Sequence, residues 1–187
     1  MNKLIETIDL TKIYGEKETS VTALSSINTG FNENQFTAIM GPSGSGKSTL
    51  LHCLAGLDKV TSGSILINGV DLASLNDKEL TKMRRDSFGF VFQAFNLIPT
   101  LTAEENITLP SSIAGRKPEE EWVKQVIETM DIGDRLKHRP NELSGGQQQR
   151  VAAARAMASK PEVIFADEPS GNLDSKSSKE LLVFMKS

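Results

Sequence analysis

Residues 41–49 constrain the fold of this chain more than any other segment. They read Gly41-Pro42-Ser43-Gly44-Ser45-Gly46-Lys47-Ser48-Thr49 and fit the pattern G-x-x-x-x-G-K-[ST]. The glycines let the backbone curl so that consecutive N–H groups face one anion, and a helix that starts there adds the positive end of its dipole. An apolar run at 36–40 precedes the segment, and a helix is predicted at 47–57. The pattern therefore predicts a buried strand, a phosphate-binding loop and a helix in succession.

Two side chains of this loop indicate a nucleoside triphosphate with Mg²⁺. Lys47 is placed to reach the β- and γ-phosphates as a point charge, and Ser48 is placed to offer its hydroxyl to Mg²⁺. The alternative is a chance turn rich in Gly and Ser. Such a turn has no reason to lie between an apolar strand and a helix, so we favour the phosphate-binding loop.

The composition predicts a globular chain that does not enter a membrane. A chain of 187 residues is expected to form one domain with its own core. The net charge of -3 and the pI near 5.5 give no basic surface for nucleic acid. No apolar run approaches the roughly 18–20 residues of a spanning helix, and no apolar leader is present at the N-terminus. Because the lone Cys53 also fits a reducing compartment, we expect a cytoplasmic protein that needs a partner for any work at a membrane.

The order of predicted elements indicates an α/β fold. Strands are predicted at 4–10, within 21–40, and at 64–67, 87–92 and 163–166, with a hairpin turn at Asn68-Gly69. Helices are predicted within 99–139, notably at 119–130, and at 147–159. This order resembles that of a P-loop NTPase core, which implies an N-terminal antiparallel β subdomain and an inserted helical subdomain. We assign one domain, 1–187, with the core at 1–93 and 151–187 and the helical subdomain at about 94–150.

A second polar pair follows the apolar strand predicted at 163–166. Asp167 stands at the C-terminal end of that strand, where α/β sheets bind their ligands, and can hold Mg²⁺ through its water shell. Glu168 comes one residue later and can face the γ-phosphate. The alternative is an ordinary polar strand end, which the phosphate-binding loop upstream makes less plausible.

Residues 143–147, Leu143-Ser144-Gly145-Gly146-Gln147, predict a second anion site. Ser144 is a good N-cap, and the two glycines expose backbone N–H groups at the start of the helix predicted at 147–159. Two anion sites in one chain make sense if each serves a different nucleotide. A simple capped helix after a glycine turn is the alternative.

Together these motifs resemble the ATP-binding subunit of ABC transporters. The resemblance runs in order through the phosphate loop, the LSGGQ segment extended by Gln148-Gln149-Arg150, and the Val163–Glu168 strand. It implies ATP and Mg²⁺ as ligands, and Glu168 as the general base that polarises the attacking water. It also implies a head-to-tail homodimer with two ATP, in which Ser144, Gly145, Gly146 and Gln147 of one subunit close on the γ-phosphate held by the other.

The resemblance assigns roles to three further residues. Gln93 matches the glutamine whose amide oxygen reaches Mg²⁺ or the lytic water, and its loop reports nucleotide state to a membrane partner. Tyr14 lies where the family stacks an aromatic ring on adenine. Ser170-Gly171-Asn172-Leu173-Asp174 is similar to the D-loop, which implies that Asp174 lies near the dimer interface.

Longer runs resemble one branch of the family, that of lipoprotein release, macrolide export and haem or peptide efflux. These runs are GPSGSGKSTLL, FGFVFQAFNLIPTLTAEEN, residues 114–118 and GNLDS. The resemblance implies an FtsX-like permease partner, a peripheral location at the inner face of the cell membrane, and export or mechanical transmission. One alternative is a regulatory ATPase of the cell-division type that gates cell-wall hydrolases. A soluble ABC ATPase of DNA repair or translation usually carries a coiled-coil insert or a second cassette, and we identify neither.

Family members continue beyond the equivalent of Ser187 through another strand, a switch histidine and C-terminal helices. Neither His52 nor His138 can be that histidine, because both precede the Asp167-Glu168 pair. The resemblance therefore implies either a C-terminally truncated cassette or one whose remainder lies outside these 187 residues. For the 187 residues alone, we expect nucleotide binding to survive better than hydrolysis. No residue identifies the transported substrate.

Overall fold

The structure is a computed structural model that describes residues 3–169. The predicted D-loop at 170–174, Asp174 included, and the helix predicted at 179–185 lie outside these residues. The chain divides into two compact units, one ending at Lys82 and the other beginning at Met83. Within residues 3–169, no helix is both long enough and apolar enough to cross a bilayer.

The first unit is built on a four-stranded antiparallel sheet, as the sequence predicts. Its strands lie in the order β2-β1-β3-β4, and every neighbouring pair is antiparallel. The strands are β1 (Lys3–Tyr14), β2 (Val21–Asn32), β3 (Ser62–Ile67) and β4 (Val70–Asp71). Helix α1 (Lys47–Leu54) follows the phosphate loop, and α2 (Asp77–Ser87) runs across the boundary into the second unit. Short 3-10 turns lie at Lys17–Thr19 and Leu72–Ser74.

A bulge in β1 shifts the phase of its buried side chains. Thr7 pairs with Thr29 and Leu10 with Ile27, so β1 carries one residue more than β2 over this stretch. Asp9 takes up the extra length with φ of 45°, and its backbone N–H donates to Asn28 Oδ1 at 2.8 Å. Side chains at odd positions are buried before the bulge, and those at even positions 10 and 12 are buried after it. The bulge therefore places positions 10, 12 and 14 on the side of the strand that carries positions 5 and 7.

The predicted hairpin is confirmed, and the helix predicted at 47–57 is formed but is shorter than predicted. Asn68 and Gly69 have φ of 50° and 78°, as a type I′ turn requires, and Ile67 pairs with Val70 across them. Helix α1 ends three residues before the predicted position 57. Gly56 and Leu57 donate to the carbonyls of Cys53 and His52, both at 2.9 Å, with Gly56 at φ 63°. This is a Schellman cap, which closes the helix because Gly56 adopts the left-handed conformation readily.

The predicted strand at 36–40 is not formed. Residues 33–40 are irregular, with Phe36 44% and Met40 88% exposed, and β2 ends at Asn32. A short apolar run becomes a strand only where neighbouring strands take up its backbone hydrogen bonds and a layer covers its side chains. The sheet described for the first unit has β2 and β4 at its edges and does not include this segment.

The second unit combines two parallel strands with a helical core. Strands β5 (Phe88–Val91) and β6 (Val163–Ala166) pair in parallel, with Phe88 opposite Val163 and Val91 opposite Ala166. The helices are α3 (Ala103–Ile113), α4 (Glu120–Thr129) and α5 (Gly145–Met157), with 3-10 turns at Gly133–Arg135 and Pro140–Glu142. The core is formed by fully buried apolar side chains from α3, α4, α5 and β5, including Ile107, Val126, Val151 and Val91. The helices predicted within 99–139 and at 147–159 are thus confirmed.

Strand β6 is parallel, as predicted, but it is not buried on both faces. Phe165 packs edge-on against Phe88 at 5.3 Å between ring centroids, whereas Ile164 is 36% exposed. Within residues 83–169 the sheet has two strands. A fully apolar run such as 163–166 is typical of a parallel strand that is buried on both faces, and the exposure of Ile164 departs from that pattern in the described part of the chain.

We predict that Gly63→Ala destabilises the chain far more than Gly69→Ala. Both glycines have positive φ (82° and 78°), so both variants should lose about 1–2 kcal/mol to backbone strain. A Cβ at Gly63 would also lie 2.4 Å from the carbonyl oxygen of Asp9 in the β1 bulge, whereas a Cβ at Gly69 meets no atom within 4 Å. The steric clash adds about 1–3 kcal/mol. Urea unfolding followed by circular dichroism measures the difference, and equal losses would contradict the packing of β3 against the bulge.

Candidate functional site

The phosphate loop lies in the first unit and has the backbone of an anion cradle. Residues 41–46 form a turn, and the next three residues, Lys47, Ser48 and Thr49, begin α1. Gly44 and Gly46 have φ of 77° and 87°, in the left-handed region that the loop needs to curl. A Cβ at Gly46 would lie 2.5 Å from the carbonyl oxygen of Ala23 in β2, so only glycine fits there. No side chain caps the start of α1, which leaves its N-terminal dipole directed at the loop.

The Lys47 side chain is folded over its own loop. Its ammonium group donates to the carbonyl oxygens of Gly41 at 3.0 Å and Pro42 at 2.8 Å. The loop is closed by a hydrogen bond from the N–H of Ser45 to the same Pro42 oxygen at 3.3 Å. The positive charge is therefore already positioned at the loop, and a short rotation of the side chain can exchange carbonyl oxygens for phosphate oxygens.

Tyr14 lies at the end of β1 and is held by a charged cluster. Its hydroxyl donates to Asp58 Oδ2 at 2.5 Å, and Lys12 Nζ donates to Asp58 Oδ1 at 2.6 Å. The Asp58 hydrogen bond raises the pKa of Tyr14, and a hydrogen bond with Thr49 of α1 lowers it by less. Burial alone would raise the pKa of Asp58, but the hydrogen bonds from Lys12 and Tyr14 outweigh burial and lower it. The same Asp58 contact raises the pKa of Lys12.

Sequence reasoning missed Val21, the cross-strand neighbour of Tyr14. The two residues are paired in the register of β1 and β2, and their side chains are 62% (Val21) and 40% (Tyr14) exposed. Side chains opposite each other on an antiparallel pair lie on one face of the sheet. The pair therefore forms an exposed apolar surface next to the start of α1, where Thr49 meets Tyr14. The register could not be predicted because further irregularities follow the bulge in β1.

In the second unit, the parallel pairing of β5 and β6 brings three predicted residues to one edge. The last paired residues are Val91 and Ala166, and the N–H of Asp167 donates to the Val91 oxygen at 3.0 Å. Gln93 and Glu168 each lie two residues beyond that last pair. The carboxyl ends of parallel strands are where α/β folds bind ligands, so Gln93, Asp167 and Glu168 share a binding edge.

Glu168 has a backbone conformation that its side chain does not favour. Its φ is 45°, in the left-handed region that costs a non-glycine residue about 1–2 kcal/mol. Strained residues of this kind concentrate at functional sites, where the surrounding structure holds them. The strain could not be read from the sequence, because Glu is not a residue type that signals positive φ.

The LSGGQ segment forms the start of α5. Ser144 is the N-cap: its Oγ accepts from the N–H of Gln147 at 3.3 Å, and Gln147 Oε1 accepts from the N–H of Ser144 at 2.9 Å. This capping box fixes the first turn and leaves Gly145 and Gly146 inside it without side chains. At the other end of α5, a Cβ on Gly89 of β5 would lie 2.3 Å from the carbonyl oxygen of Ala156. Ser144 is therefore about 18 Å along the helix from the contact with β5.

Arg155 and Asn106 are site-supporting residues that sequence reasoning missed. Arg155 donates to the carbonyl oxygens of Phe95 at 2.8 Å and Asn96 at 2.6 Å, and both of those residues have positive φ. Burial lowers the pKa of Arg155. Asn106, fully buried, accepts from the N–H of Ile98 at 2.7 Å and donates to three nearby carbonyl oxygens. The segment after Gln93 is therefore held from both α5 and α3.

The oxygen donors predicted for Mg²⁺ suit that ion. Residues 3–169 contain no group of three or more His, Cys, Asp or Glu side chains that are placed to hold a metal ion. Mg²⁺ is usually bound by one or two protein oxygens together with substrate phosphates and water, rather than by such a cluster. The Ser48 hydroxyl, the Asp167 carboxylate and the Gln93 amide fit that pattern chemically.

Residues 24–171 match the ABC transporter family. The chain belongs to the ABC transporter family. This membership gives it the α/β fold of the ABC cassettes and their activity, the binding and hydrolysis of ATP. Both were predicted from the motifs, and both are confirmed.

Relatives with assigned names lie in the branch that the longer sequence runs resemble. The chain is 49% identical over 181 residues to the macrolide export ATP-binding/permease protein MacB of Marinobacter nauticus. That match covers 96% of this chain and 28% of MacB. It is 46% identical over 183 residues to the lipoprotein-releasing system ATP-binding protein LolD of Geobacter metallireducens, covering 97% of this chain and 81% of LolD.

The fold is also that of a solved ABC cassette, MJ0796 of Methanocaldococcus jannaschii. That structure is dimeric, in a post-hydrolysis state bound to ADP and Pi. It superimposes with a TM-score of 0.88 at 44% identity, covering 97% of this chain and 81% of that one.

We predict that Asp58→Asn lowers the pH at which Tyr14 ionises. The negative charge of Asp58 favours the protonated hydroxyl that donates to it, so removing that charge moves the pKa of Tyr14 back down toward its ordinary value. Tyr14 is the only tyrosine of the chain, so ultraviolet absorbance reports on it alone. Asp77→Asn, an exposed change in α2, is the control. An unchanged midpoint in Asp58→Asn would contradict the hydrogen bond.

Proposed function

We propose that this ABC ATPase works as a head-to-tail homodimer that closes on two ATP and drives an FtsX-like permease. It acts from the inner face of the cell membrane, in export or in mechanical transmission. Similarity to MacB and LolD supports this branch of the family. The dimeric, product-bound MJ0796 supports the mode of assembly.

The observation that carries the proposal is that one chain has two helix starts suited to phosphate. Helix α1 begins behind the glycine turn with no side-chain cap, and α5 begins at Ser144 with two glycines in its first turn. One ATP needs one cradle for its phosphates. In the proposed dimer each γ-phosphate lies between Lys47 of one subunit and the partner's Ser144, so both helix starts are used.

The phosphate loop binds the triphosphate and neutralises its charge. Lys47 exchanges the Gly41 and Pro42 carbonyl oxygens for β- and γ-phosphate oxygens, and the loop N–H groups donate to the same phosphates. Ser48, Asp167 and Gln93 would hold Mg²⁺, whose positive charge would neutralise the negative charge that develops on the phosphate oxygens. The exposed face shared by Tyr14 and Val21 takes the adenine ring.

Glu168 acts as the general base for hydrolysis. It accepts a proton from water as the water oxygen attacks the γ-phosphorus, and the bond to the β–γ bridging oxygen breaks to give ADP and phosphate. Gln93, at the same strand edge, orients that water. The held backbone at Glu168 supports this role, because a base must be within hydrogen-bond reach of the proton that it takes.

The helical subdomain, proposed at about 94–150, is the part that contacts the permease. The segment after Gln93 enters this subdomain and is pinned by Arg155 and Asn106. A change at the Gln93 edge is therefore passed to α5 and α3 as a movement of bonded segments. Asp174 is proposed at the dimer interface and lies outside the described residues.

Identification of the membrane partner tests the proposal. Affinity purification of the tagged chain from detergent-solubilised membranes should recover a permease with an extracytoplasmic domain. The ATPase rate of the purified complex should differ from that of the chain alone. Recovery of a cell-wall hydrolase regulator would support the cell-division type of function instead. If all of the protein stayed in the soluble fraction with no partner bound, the permease assignment would be overturned.

We predict that Lys47→Ala lowers ATP-Mg affinity by about 100-fold. Removal of the ammonium deletes charge-assisted hydrogen bonds worth about 3 kcal/mol together. Isothermal titration with ATP and Mg²⁺ measures the loss. Lys17→Ala, a change of an exposed lysine in the first unit, is the matched control. Unchanged affinity in Lys47→Ala would refute the cradle.

We predict that Glu168→Gln binds ATP normally, hydrolyses it at least 100-fold more slowly and accumulates as an ATP-bound dimer. The amide keeps the shape of the side chain but cannot accept the proton from water. ATP is therefore hydrolysed slowly, and the ATP-bound dimer persists. Light scattering with ATP and Mg²⁺ measures the mass, and phosphate release measures the rate.

Ser144→Asp in the Glu168→Gln background provides the control. Asp is as good an N-cap as Ser, so α5 should remain folded, but its charge repels the γ-phosphate of the partner's ATP. The double variant should therefore bind ATP and stay monomeric. A dimer of unchanged stability in the double variant would count against the proposed ATP sandwich.

A further inference from the structure

We propose that Asp58 is a positioning residue for the nucleotide base, which acts with Lys12 to fix the ring of Tyr14. In this arrangement one face of the ring is covered and the other is presented to adenine. The inference rests on the proposed function of Tyr14 as the base-stacking residue. It adds two residues, Asp58 and Lys12, to which the sequence motifs assign no role.

The two oxygens of the Asp58 carboxylate are divided between two donors. Oδ2 accepts from the Tyr14 hydroxyl at 2.5 Å, and Oδ1 accepts from Lys12 Nζ at 2.6 Å. Lys12 Nζ also donates to the carbonyl oxygen of Lys59 at 2.6 Å. Hydrogen bonds to a charged group are shorter and stronger than neutral ones, so this carboxylate fixes both partners. With its hydroxyl held, the tyrosine ring cannot leave its rotamer without breaking a charge-assisted bond.

Lys12 also covers the ring itself. Its ammonium lies 4.6 Å from the centroid of the Tyr14 ring, within the range of a cation–π contact. The Lys12 side chain is 11% exposed, whereas Tyr14 is 40% exposed. One face of the ring is therefore closed by a buried cation. A base can therefore stack only on the face that Lys12 leaves open.

Asp58 is tied to the helix that carries the phosphate loop. The N–H groups of Leu57 and Asp58 both donate to the carbonyl oxygen of His52 in α1, at 2.9 and 3.2 Å. The loop that follows is bonded to β1: Thr61 donates through its N–H to the oxygen of Thr11 at 2.9 Å. The carboxylate that holds the ring therefore moves with α1. This fixes the separation between the phosphate cradle and the base-stacking ring.

The bulge at Asp9 makes this contact possible. Without the extra residue, Leu10, Lys12 and the side chain at position 14 would together project from the face of β1 opposite to the one that carries Ile5 and Thr7. An aromatic ring at a free strand end would have to be ordered when ATP binds. Because Asp58 already orders the ring, ATP binding does not have to bear the entropy cost of ordering it, which is the usual gain from preorganisation.

The test compares ATP with inorganic tripolyphosphate, which uses the phosphate loop but has no base. Both are titrated with Mg²⁺ into the chain and into Asp58→Asn, Tyr14→Phe and Tyr14→Ala, with Asp77→Asn as control. Asp58→Asn should weaken ATP about threefold to tenfold and change tripolyphosphate affinity by less than about twofold. Tyr14→Phe keeps the ring and loses the same hydrogen bond, so it should show the same loss. The double variant Asp58→Asn/Tyr14→Phe should bind ATP no more weakly than either single variant, because both changes remove the same hydrogen bond.

Three outcomes would overturn the inference. Unchanged ATP affinity in both Asp58→Asn and Tyr14→Phe would show that the clamp does not position the ring. An equal loss of ATP and tripolyphosphate affinity in Asp58→Asn would show that Asp58 acts only on the shape of α1. If Tyr14→Ala weakens neither ligand, Tyr14 is not the base-stacking residue, and the proposed function of that residue fails together with the clamp. The Tyr14→Ala result thus separates failure of the proposed function from failure of the clamp alone.

Two controls keep the test informative if a variant is destabilised. Circular dichroism establishes that each variant is folded at the temperature of titration. Lys12→Met retains the length of the side chain and its packing but removes the cation from the ring. It should reduce ATP affinity in the same direction as Asp58→Asn, with tripolyphosphate unchanged, and a loss confined to tripolyphosphate would contradict the proposal.

Discussion

The first N–H groups of a helix need hydrogen-bond acceptors, and this requirement determines what the starts of α1 and α5 can bind. Helix α1 starts at Gly46 with no side-chain cap, so its dipole and loop N–H groups are directed at the cradle. Helix α5 starts with a complete capping box between Ser144 and Gln147. The first is therefore built to take its ligand as the cap. The second is already capped, and in the proposed dimer it presents Gly145 and Gly146 to the phosphate of the partner's ATP.

The motifs and most elements could be predicted because their signals are local. The Asn68-Gly69 turn and the Ser144 cap each depend on residues within one turn of the chain. The strand at 36–40 was predicted wrongly because a strand depends on partners that periodicity does not identify. The β1 bulge was missed for the same reason, since it follows from the register against β2 and β3.

The residues that support the site were harder to predict than the residues that form it. Arg155 lies 62 positions after Gln93, and nothing in its spacing indicates a bond to the carbonyl oxygens of Phe95 and Asn96. Those two residues hold positive φ, a strain that a buried guanidinium with two good hydrogen bonds can maintain. The loop after Gln93 is therefore a rigid connection to α5 rather than a flexible link. Such a connection suits the transmission that we propose from the Gln93 edge to α5.

The first unit solves a related problem of distance. A triphosphate with a base is long, and a site that binds both ends must keep the two contacts at a set separation. In the proposed site, the phosphates are bound at the start of α1, and Tyr14, the ring proposed to stack on the base, is at the end of β1. Asp58 joins the two because its backbone is capped onto α1 through His52 while its carboxylate holds Tyr14. Stacking on an aromatic ring does not by itself fix where the base lies. In the proposed site, a single partly buried ion pair, Lys12–Asp58, gives the base a defined position relative to the phosphates.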